Sequence, residues 1–315
     1  MELLAVTWNF NPAVTPWADM PRWYGIMWAL GFYVGFILLT RMYRSEKVSE
    51  KWVDMTFLYV LVGGILGARL GHCLFYEPEE YLANPIEILK IWEGGLASHG
   101  GTIGIIIAVY FLSRRVTKKN ILWTLDRIAV PTALAGCLIR LGNLFNHEIV
   151  GKETGSNFGF KFLRHDISEA EAIVRTSSRN AKEAFDKIAN DPAFADILAA
   201  VPNRHPAQLY EAIAYLIVFF VMWRLYWNTN IRQLTGALLG AFLTMVFGAR
   251  FIIEFFKVMQ DGGVEEKLAD AGSLNMGQLL SIPFVLLGLF LLFRKFKELK
   301  KEKREIPKRL KKESK

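Results

Sequence analysis

The chain has 315 residues, of which 52% are hydrophobic and 22% charged, with a mean hydropathy of +0.24 and a formal net charge of +8. This balance is high for a soluble globule and ordinary for a protein that crosses a membrane several times. The positive excess comes largely from a basic tail over residues 294–315. Because no aromatic interleaving or nucleic-acid module accompanies that tail, contact with anionic lipid is favoured over nucleic-acid binding.

Seven apolar segments predict membrane-spanning helices, each of which needs about 20 mostly apolar residues. They cover residues 23–41, 54–76, 98–113, 121–144, 206–227, 235–257 and 277–294. The third segment is the shortest and opens on the polar pair Ser98-His99, which indicates a helix that begins inside the protein. The predicted fold is therefore an all-α, polytopic transmembrane helical bundle of about seven spans.

The loop charges predict the orientation of these spans. Basic residues follow the first and third spans, flank the connection between the fifth and sixth, and dominate the tail. The alternate loops are acidic and carry Glu77, Glu79, Glu80, Glu87 and Glu93 in one case, and Asp261, Glu265, Glu266 and Asp270 in the other. Since basic loops remain cytoplasmic, an odd number of spans places the N-terminus outside and the tail in the cytoplasm.

The connection between the fourth and fifth spans differs in composition from the rest of the chain. Residues 168–200 are polar, Ala-rich and helix-prone, with Pro192 as an interruption. We expect a small extramembrane insertion on the outer face. The chain then divides into a first part with four spans (1–150), the insertion (151–205), a part with three spans (206–295) and the basic tail (296–315).

Several predicted spans carry polar side chains at membrane depth. Residues 140–148 close an apolar run with an arginine, two asparagines, a histidine and a glutamate, and Arg69, His99, Arg250 and Glu254 extend the pattern to other spans. An ionisable group there costs about 2.5–3.5 kcal/mol on insertion scales and rarely faces lipid. We therefore expect a shared polar pocket inside the bundle.

Arg140 and Arg250 are candidate ligands for an anion, because a guanidinium stays charged when buried and its fork matches a phosphate or carboxylate. The alternative is a structural ion pair for each. Arg250 has a glutamate four residues further along the same helix face. Arg140 could be neutralised by Glu148 across the turn, or could share a lipid headgroup with Asn143 and Asn146.

Three further positions have both a functional and a structural interpretation. His99 lies between two glycine pairs and could accept a proton at physiological pH, or could be an ordinary structural histidine. Gln208 shares a helix face with Glu211 and could bind substrate or anchor the fifth span. Tyr24 could equally belong to the aromatic belt at the outer end of the first span.

Other chemistries have little support in the sequence. The five histidines lie on different segments without ligand-like spacing, and neither HExxH nor GxSxG occurs. We therefore predict no metal and no serine nucleophile. Cys73 and Cys137 lie singly in apolar spans, so packing is the favoured role for both.

Several blocks together resemble the phosphatidylglycerol–prolipoprotein diacylglyceryl transferase family of bacterial inner membranes, from Arg22 to about Pro283. The blocks are Arg22-Trp23-Tyr24-Gly25, Gly67-Ala68-Arg69-Leu70-Gly71, Ser98-His99-Gly100-Gly101 with Gly104, Arg140-Leu141-Gly142-Asn143, Asn146 and Glu148 to Gly151, His205-Pro206-Ala207-Gln208-Leu209-Tyr210-Glu211, Gly248-Ala249-Arg250-Phe251-Ile252-Ile253-Glu254 and Asn275-Met276-Gly277-Gln278. Each block alone is unremarkable, whereas their order and co-occurrence are specific. His147 departs from the glycine expected in many relatives, and the insertion is longer than in compact members.

The resemblance implies transfer of the diacylglyceryl unit of phosphatidylglycerol to the thiol of a lipobox cysteine in a prolipoprotein signal peptide. It implies no cofactor. The functional positions of the family carry over as Tyr24, His99, Arg140, Asn143, Gly151, Arg250 and Glu254.

In the reaction so implied, Arg140 and Arg250 hold the phosphate, Asn143 binds the headgroup and Glu254 orients Arg250. His99 is the candidate base, with Tyr24 as its helper or as a positioning residue. Asn146, Glu148, Arg69 and Gln208 complete the predicted substrate-binding set. The main rival is a transporter of organic anions, although the paired repeats typical of transporters are not evident.

Overall fold

A computed structural model describes residues 5–15, 20–91, 94–258 and 274–313, and these residues form a helical bundle with a small two-stranded sheet. The helices are α1 (Trp23–Ser45), α2 (Lys51–Phe75), α3 (Pro78–Ala83), α4 (Ser98–Leu112), α5 (Ile121–Phe145), α6 (Leu163–Asp166), α7 (Glu169–Thr176), α8 (Ala181–Asn190), α9 (Ala195–Ala200), α10 (Ala207–Asn228), α11 (Ala237–Ile253) and α12 (Met276–Glu313). The strands are β1 (Ala5–Trp8) and β2 (Gly159–Phe162).

Among the described residues, six helices are long and apolar enough to cross a membrane. They are α1, α2, α5, α10, α11 with the 3₁₀ turn that follows it, and the first part of α12 up to Lys295. Six of the predicted spans thus coincide with helices of membrane length. The protein is a multi-pass membrane protein.

The predicted third span forms α4, a helix of 15 residues that continues into a π-helical turn at Ser113–Thr117. A rise of 1.5 Å per residue makes α4 about 22 Å long, whereas the hydrocarbon core is about 30 Å thick. The helix itself is confirmed. A seventh crossing stays a prediction.

Glycines allow α2 and α4 to pack with their backbones in contact. A Cβ atom added to Gly67 would lie 2.7 Å from the Cα atom of Gly104, and one added to Gly71 would lie 2.7 Å from the Cα atom of Gly100. Only residues without a side chain tolerate such an approach. The small residues of the second predicted span therefore serve helix packing.

The main apolar core lies between α1, α5, α10 and α11. Met42, Val130, Met222 and Leu238 come from these four helices in turn, and all four side chains are fully buried. This core fixes α5, α10 and α11 against one another. The same three helices carry most of the charged residues described below.

The insertion is helical, as its composition predicts, and has an apolar core of its own. Helices α7, α8 and α9 cover most of residues 168–200, with a 3₁₀ turn at Pro192–Phe194. Leu163, Phe185 and Ile188 are buried in the centre of this unit.

The predicted helical bundle is confirmed, and the structure adds a two-stranded sheet that the sequence did not predict. Strand β1 pairs in parallel with β2, with Ala5 opposite Gly159. A pairing of four residues on each side, between segments so far apart in the chain, leaves no recognisable period in the sequence. The sheet ties the start of the chain to the insertion.

Some residues used to predict orientation lie outside the part of the chain that the structure describes. They are Glu93, Asp261, Glu265, Glu266 and Asp270.

Candidate active site

A buried ion pair joins α5 to α10. Nε of Arg140, near the C-terminal end of α5, lies 2.7 Å from Oε2 of Glu211 in the first turns of α10. The Glu211 side chain is 0% exposed and that of Arg140 is 16% exposed. A carboxylate buried this deeply needs a cation beside it, because its desolvation is otherwise uncompensated.

Lys257 is a second cation on Glu211. It follows the 3₁₀ turn Glu254–Phe256, and its Nζ atom lies 2.9 Å from Oε1 of Glu211 and 3.2 Å from Oε2 of Glu254. The Lys257 side chain is 6% exposed. Lys257 therefore connects α10 to the end of α11 through two carboxylates.

Arg250 is the cation with the weakest internal pairing in this group. Its Nε atom lies 3.9 Å from Oε2 of Glu254 and has no hydrogen-bond partner among the described residues, and its side chain is 35% exposed. Arg250 also attracts the Glu211 carboxylate electrostatically. A guanidinium held only by distant charges keeps its donors for another anion.

The five side chains form one ion network, in the order Arg140, Glu211, Lys257, Glu254 and Arg250. Three cations and two carboxylates leave one net positive charge. In a low-dielectric interior this surplus attracts an anion strongly. The network thus brings together Arg140 and Arg250, the two arginines that the sequence singles out.

A chain of amides extends from Arg140 towards the surface. Nη1 of Arg140 donates to Oδ1 of Asn143 at 3.2 Å, and Nδ2 of Asn143 donates to Oε2 of the exposed Glu148 at 3.3 Å. Asn146 donates to the other carboxylate oxygen at 3.1 Å. Asn143 therefore stands between Arg140 and Glu148, and the partner of Arg140 in its ion pair is Glu211.

Gln208 holds this turn in place. Its Nε2 atom donates to the backbone carbonyl of Glu148 at 2.5 Å, and its side chain is fully buried. Gln208 thus fixes α10 to the segment after α5. This contact agrees with the anchoring interpretation, and substrate contact by Gln208 stays a prediction.

Two tyrosines border Arg140. Tyr215 lies one turn after Glu211 and donates its hydroxyl to Oε1 of that residue at 3.4 Å. Tyr24, in the first turn of α1, packs on Gly142 and lies close enough to Arg140 for an electrostatic interaction. The predicted residue Tyr24 is therefore at the ion network.

Gly151 determines where Lys257 lies. Its backbone N–H donates to the carbonyl of His205 at 2.9 Å, and it forms an isolated β-bridge with Lys257. A Cβ atom at this position would lie 2.6 Å from the Cβ atom of His205 and 2.7 Å from the carbonyl oxygen of Phe256. Only glycine fits between these two segments, so Gly151 supports the network, and its contact with substrate stays a prediction.

His99 lies outside the network. It is exposed in the first turn of α4, and α4 packs chiefly against α2. No hydrogen bond or ion pair to another described residue orients its ring. The role of His99 as a base stays a prediction.

Arg69 is occupied by the backbone of a neighbouring loop. Its guanidinium donates to the carbonyls of Glu87, Ile88 and Gly94 at 2.5, 3.0 and 2.7 Å, and it lies over the ring of Tyr81. Its side chain is buried. The loop carbonyls alone account for a buried charge in α2. The contacts therefore give the predicted substrate-binding role of Arg69 no support.

His147 departs from the family pattern at a position where the backbone itself favours glycine. Its φ angle is +57°, in the left-handed region. Burial lowers the pKa of His147 to about 4, so the ring is neutral at physiological pH. Nε2 contacts the backbone carbonyl oxygen of Phe10 at 2.9 Å, and this contact links the turn to the start of the chain.

The sequence analysis did not assign Lys257 to the site and treated Glu211 only as a neighbour of Gln208. A signal was present in both cases. Lys257 is a lysine at the end of an apolar span, three residues after a glutamate, and Glu211 is a carboxylate inside another span. Charges at membrane depth indicate partners on other helices.

Membrane-length helices that enclose a buried ion network define a multi-pass membrane protein with a polar site inside its bundle. The family model described as prolipoprotein diacylglyceryl transferase matches residues 19–294 of the chain. The chain belongs to the prolipoprotein diacylglyceryl transferase family.

Three relatives, each named phosphatidylglycerol–prolipoprotein diacylglyceryl transferase, match over nearly their whole length. The protein from Porphyromonas gingivalis is 46% identical, with 93% of this chain and 95% of the relative covered. That from Chloroherpeton thalassium is 41% identical, with 95% and 97% covered. That from Tolumonas auensis is 42% identical, with 92% and 98% covered. The resemblance predicted from the sequence blocks is confirmed.

Proposed function

We propose that this protein transfers the diacylglyceryl unit of phosphatidylglycerol to the thiol of the lipobox cysteine in a prolipoprotein, and so carries out the first step of lipoprotein maturation. The names of its relatives give the two substrates. The observation that carries the proposal is the ion network. It supplies a surplus positive charge beside two arginines at one end of the bundle.

The reaction forms one bond and breaks another. The cysteine sulfur attacks the glycerol carbon that bears the phosphate ester, and a thioether forms at that carbon. The carbon–oxygen bond to the phosphate breaks, and its electron pair leaves with glycerol phosphate. The thiol must first lose its proton, because its free pKa is about 8.5 and the thiolate is the nucleophile.

Both Arg250 and Arg140 bind the phosphate in this proposal. Arg250 has few internal partners, which supports a direct contact with the phosphate oxygens. Arg140 is held in place by Glu211 at Nε and by Asn143 at Nη1, and its charge faces the same anion. Charge that develops on the leaving phosphate is then met by preorganised donors.

Glu254 and the amides hold this arrangement together. Glu254 balances Arg250 and Lys257, whereas Asn143, Asn146 and Glu148 form the polar entrance for the headgroup. In this proposal His99 receives the thiol proton and Tyr24 positions the substrate. Because α4 holds His99 outside the network, the prolipoprotein must bring its thiol to His99.

The membrane arrangement is part of the proposal. The bundle crosses the bacterial inner membrane seven times, α4 included, with the N-terminus outside and the tail (296–315) in the cytoplasm. The parts 1–150 and 206–295 form the transmembrane body, and the insertion (151–205) lies on the periplasmic face. Basic loops on one side and acidic loops on the other support this orientation.

Incubation of the purified protein with phosphatidylglycerol and a lipobox peptide tests the function. We expect the peptide mass to increase by one diacylglyceryl unit, and no increase when serine replaces the peptide cysteine. Arg140→Ala removes one phosphate ligand and leaves Glu211 without a nearby guanidinium. It should lower the rate by about 100-fold or more, as loss of one preorganised donor does in other enzymes.

Arg44→Ala is the matched control, because Arg44 lies at the other end of α1 and its ion-pair partner among the described residues is the exposed Glu50. Its transfer rate should equal that of the wild type. Anion flux through vesicles without any peptide modification would reject the proposal in favour of a transporter.

A further inference from the structure

A polar concavity lies far from the ion network, where α4 ends and α5 begins. It has a volume of about 560 Å³. The residues that line it are Tyr110, Ser113, Arg114, Lys118, Lys119, Asn120 and Ile121. We call this concavity the basic hollow, since the described residues that line it include three cations and no carboxylate.

The backbone around the basic hollow is irregular. A π-helical turn over Ser113–Thr117 ends α4, and Lys118 has a φ angle of +53°. Turns of the π type are rare and occur often at functional sites. Nζ of Lys118 donates to the carbonyl of Arg114 at 2.5 Å, so the lysine stays folded against the rim.

Ser113 gives an independent indication of a ligand. Its side chain is buried, with an exposed fraction of 6%, and its hydroxyl has no hydrogen-bond partner in the described structure. Buried hydroxyls are nearly always satisfied by an acceptor or a water molecule. Ser113 lines the hollow, so a phosphate in the hollow would lie beside three cations and close to this unpaired hydroxyl.

The position of the basic hollow along α5 favours a phospholipid as its ligand. Ile121, the first residue of α5, lines the hollow, and Arg140 of the ion network is 19 residues further along. At 1.5 Å per residue the two are about 28 Å apart, close to the thickness of the hydrocarbon core. The hollow therefore lies at the headgroup level of the leaflet opposite the ion network.

An apolar groove beside the hollow provides room for an acyl chain. It runs between α2 and α4, has a volume of about 620 Å³, and reaches Phe111. The ring of Phe111 lies 5.6 Å from that of Tyr110, which lines the hollow. A free phosphate would use only the hollow, whereas a lipid would use both.

We infer that the basic hollow binds the phosphate of an anionic phospholipid from the leaflet opposite the ion network, with one acyl chain in the groove between α2 and α4. This lipid is a bound component of the protein and is not consumed in the transfer reaction. The inference does not depend on the proposed function.

Native mass spectrometry of the full-length protein in neutral detergent tests the inference. Phosphatidylglycerol and phosphatidylcholine with identical chains are titrated onto the wild type and onto the pair Lys118→Gln/Lys119→Gln. We expect the wild type to retain one phosphatidylglycerol that this pair binds about 25-fold more weakly, since each cation near a bilayer contributes roughly fivefold. Phosphatidylcholine should bind both proteins equally.

Two further variants distinguish the effect of the cations that line the basic hollow from a general effect of positive charge on lipid binding. Lys47→Gln/Lys51→Gln removes two exposed cations from another basic loop and should bind as the wild type. Arg114→Gln/Lys119→Gln removes two lining cations but keeps Lys118 and its backbone contact, so it should weaken binding as the first pair does. Equal losses in the Lys47/Lys51 control, or no loss in either hollow pair, would overturn the inference.

Competition distinguishes a lipid from a free phosphate. Glycerol phosphate at the concentration of the lipid should not displace it, and displacement would reject a role for the groove. All variants keep the lipid that is bound at the ion network. A difference in phosphatidylglycerol binding between variants therefore measures binding at the basic hollow. Transfer to the lipobox peptide, measured separately, should be unchanged in both hollow pairs.

Discussion

Lys257 gives the ion network its surplus positive charge. It lies between Glu211 and Glu254, and without it the two remaining arginines would only balance the two carboxylates. A buried carboxylate that loses its partner typically costs 3–5 kcal/mol, roughly the cost of an unpaired charge in a protein interior. The lysine therefore affects both the stability of the bundle and the attraction of an anionic lipid.

Substitution of Lys257 separates these effects. Lys257→Gln should lower the melting temperature and raise the KM for phosphatidylglycerol by about tenfold or more, because the surplus positive charge is lost. Lys257→Arg keeps the charge and should retain most of the wild-type affinity. Lipid-titrated transfer assays and thermal unfolding in detergent measure both quantities. A Lys257→Gln protein with an unchanged KM would show that the surplus charge does not hold the lipid.

His99 provides a separate test at the residue scale. His99→Gln keeps a polar side chain of similar size but cannot take up a proton. If His99 is the base, the rate should fall by about 100-fold or more near neutral pH and recover partly as the pH rises and the thiol ionises unaided. Transfer rates measured from pH 6 to 9 give this profile. A uniform small loss at every pH would indicate an orienting role instead.

Arg140, Arg250 and Glu254 of the network were predicted from the sequence, whereas Lys257, Glu211 and the pairing of the five residues were not. Arg140 and Arg250 are conspicuous because charge inside an apolar span is costly. Arg69 is equally conspicuous, yet its guanidinium binds loop carbonyls that no sequence pattern reveals. The pairing suggested for Arg250 and Glu254 is long at 3.9 Å, and Lys257 lies closer to that carboxylate.

At the scale of elements, helix α11 is held at its N-terminal end by a residue of α5. The N-cap position of α11 is Gly236, which has no side chain to satisfy the first N–H groups. The buried carboxylate of Asp126 accepts hydrogen bonds from the N–H groups of Gly236 at 2.6 Å and Leu239 at 2.7 Å. Asp126 thus fixes the position of α11 along α5, and α11 carries Arg250 at its other end.

Removal of this cap should loosen α11. Asp126→Ala leaves the N–H groups of Gly236 and Leu239 without this acceptor and should cost about 1–3 kcal/mol of unfolding free energy. We expect a lower melting temperature in detergent and a reduced transfer rate. Asp126→Asn keeps one carbonyl acceptor and should lose less. Equal melting temperatures for the wild type and Asp126→Ala would show that the core alone positions α11.

Element boundaries followed closely from hydrophobic length. The predicted spans 23–41, 121–144 and 206–227 correspond to α1, α5 and α10, with ends displaced by at most four residues. Apolar composition determines these helices because only a helix satisfies its backbone in lipid. The π-helical turn after α4 and the strand pairing of β1 and β2 depend on tertiary contacts, so they were not predictable.

At the scale of the whole molecule, the ion network and the basic hollow occupy opposite ends of α5. The sequence predicted charged groups at both ends and could not show that one set encloses a network while the other lines a concavity. Both arrangements depend on which helices are neighbours. The packing of α5 against α1 and α10, and of α2 against α4, decides this.

The number of crossings depends on α4. If α4 crosses the membrane, the loop before it and the loop after it lie on opposite sides. If it does not, both lie on the same side, and the number of spans is the six of membrane length. Single-cysteine variants distinguish these cases, once Cys73 and Cys137, which are buried free thiols, have been replaced by serine.

We expect Glu79→Cys and Val174→Cys to react with a membrane-impermeant maleimide in intact cells. Both positions are exposed, and they lie in the loop after α2 and in the insertion after α5, on the expected outer side. Lys47→Cys and Lys119→Cys should react only after the membrane is opened. Labelling of Glu79→Cys and Lys119→Cys under the same condition would mean that α4 does not cross. With six crossings and the N-terminus outside, α12 would end on the outer face and place the basic tail there. That position contradicts the preference of Lys and Arg for the cytoplasm. The charge pattern of the loops could then not be explained by an odd number of spans.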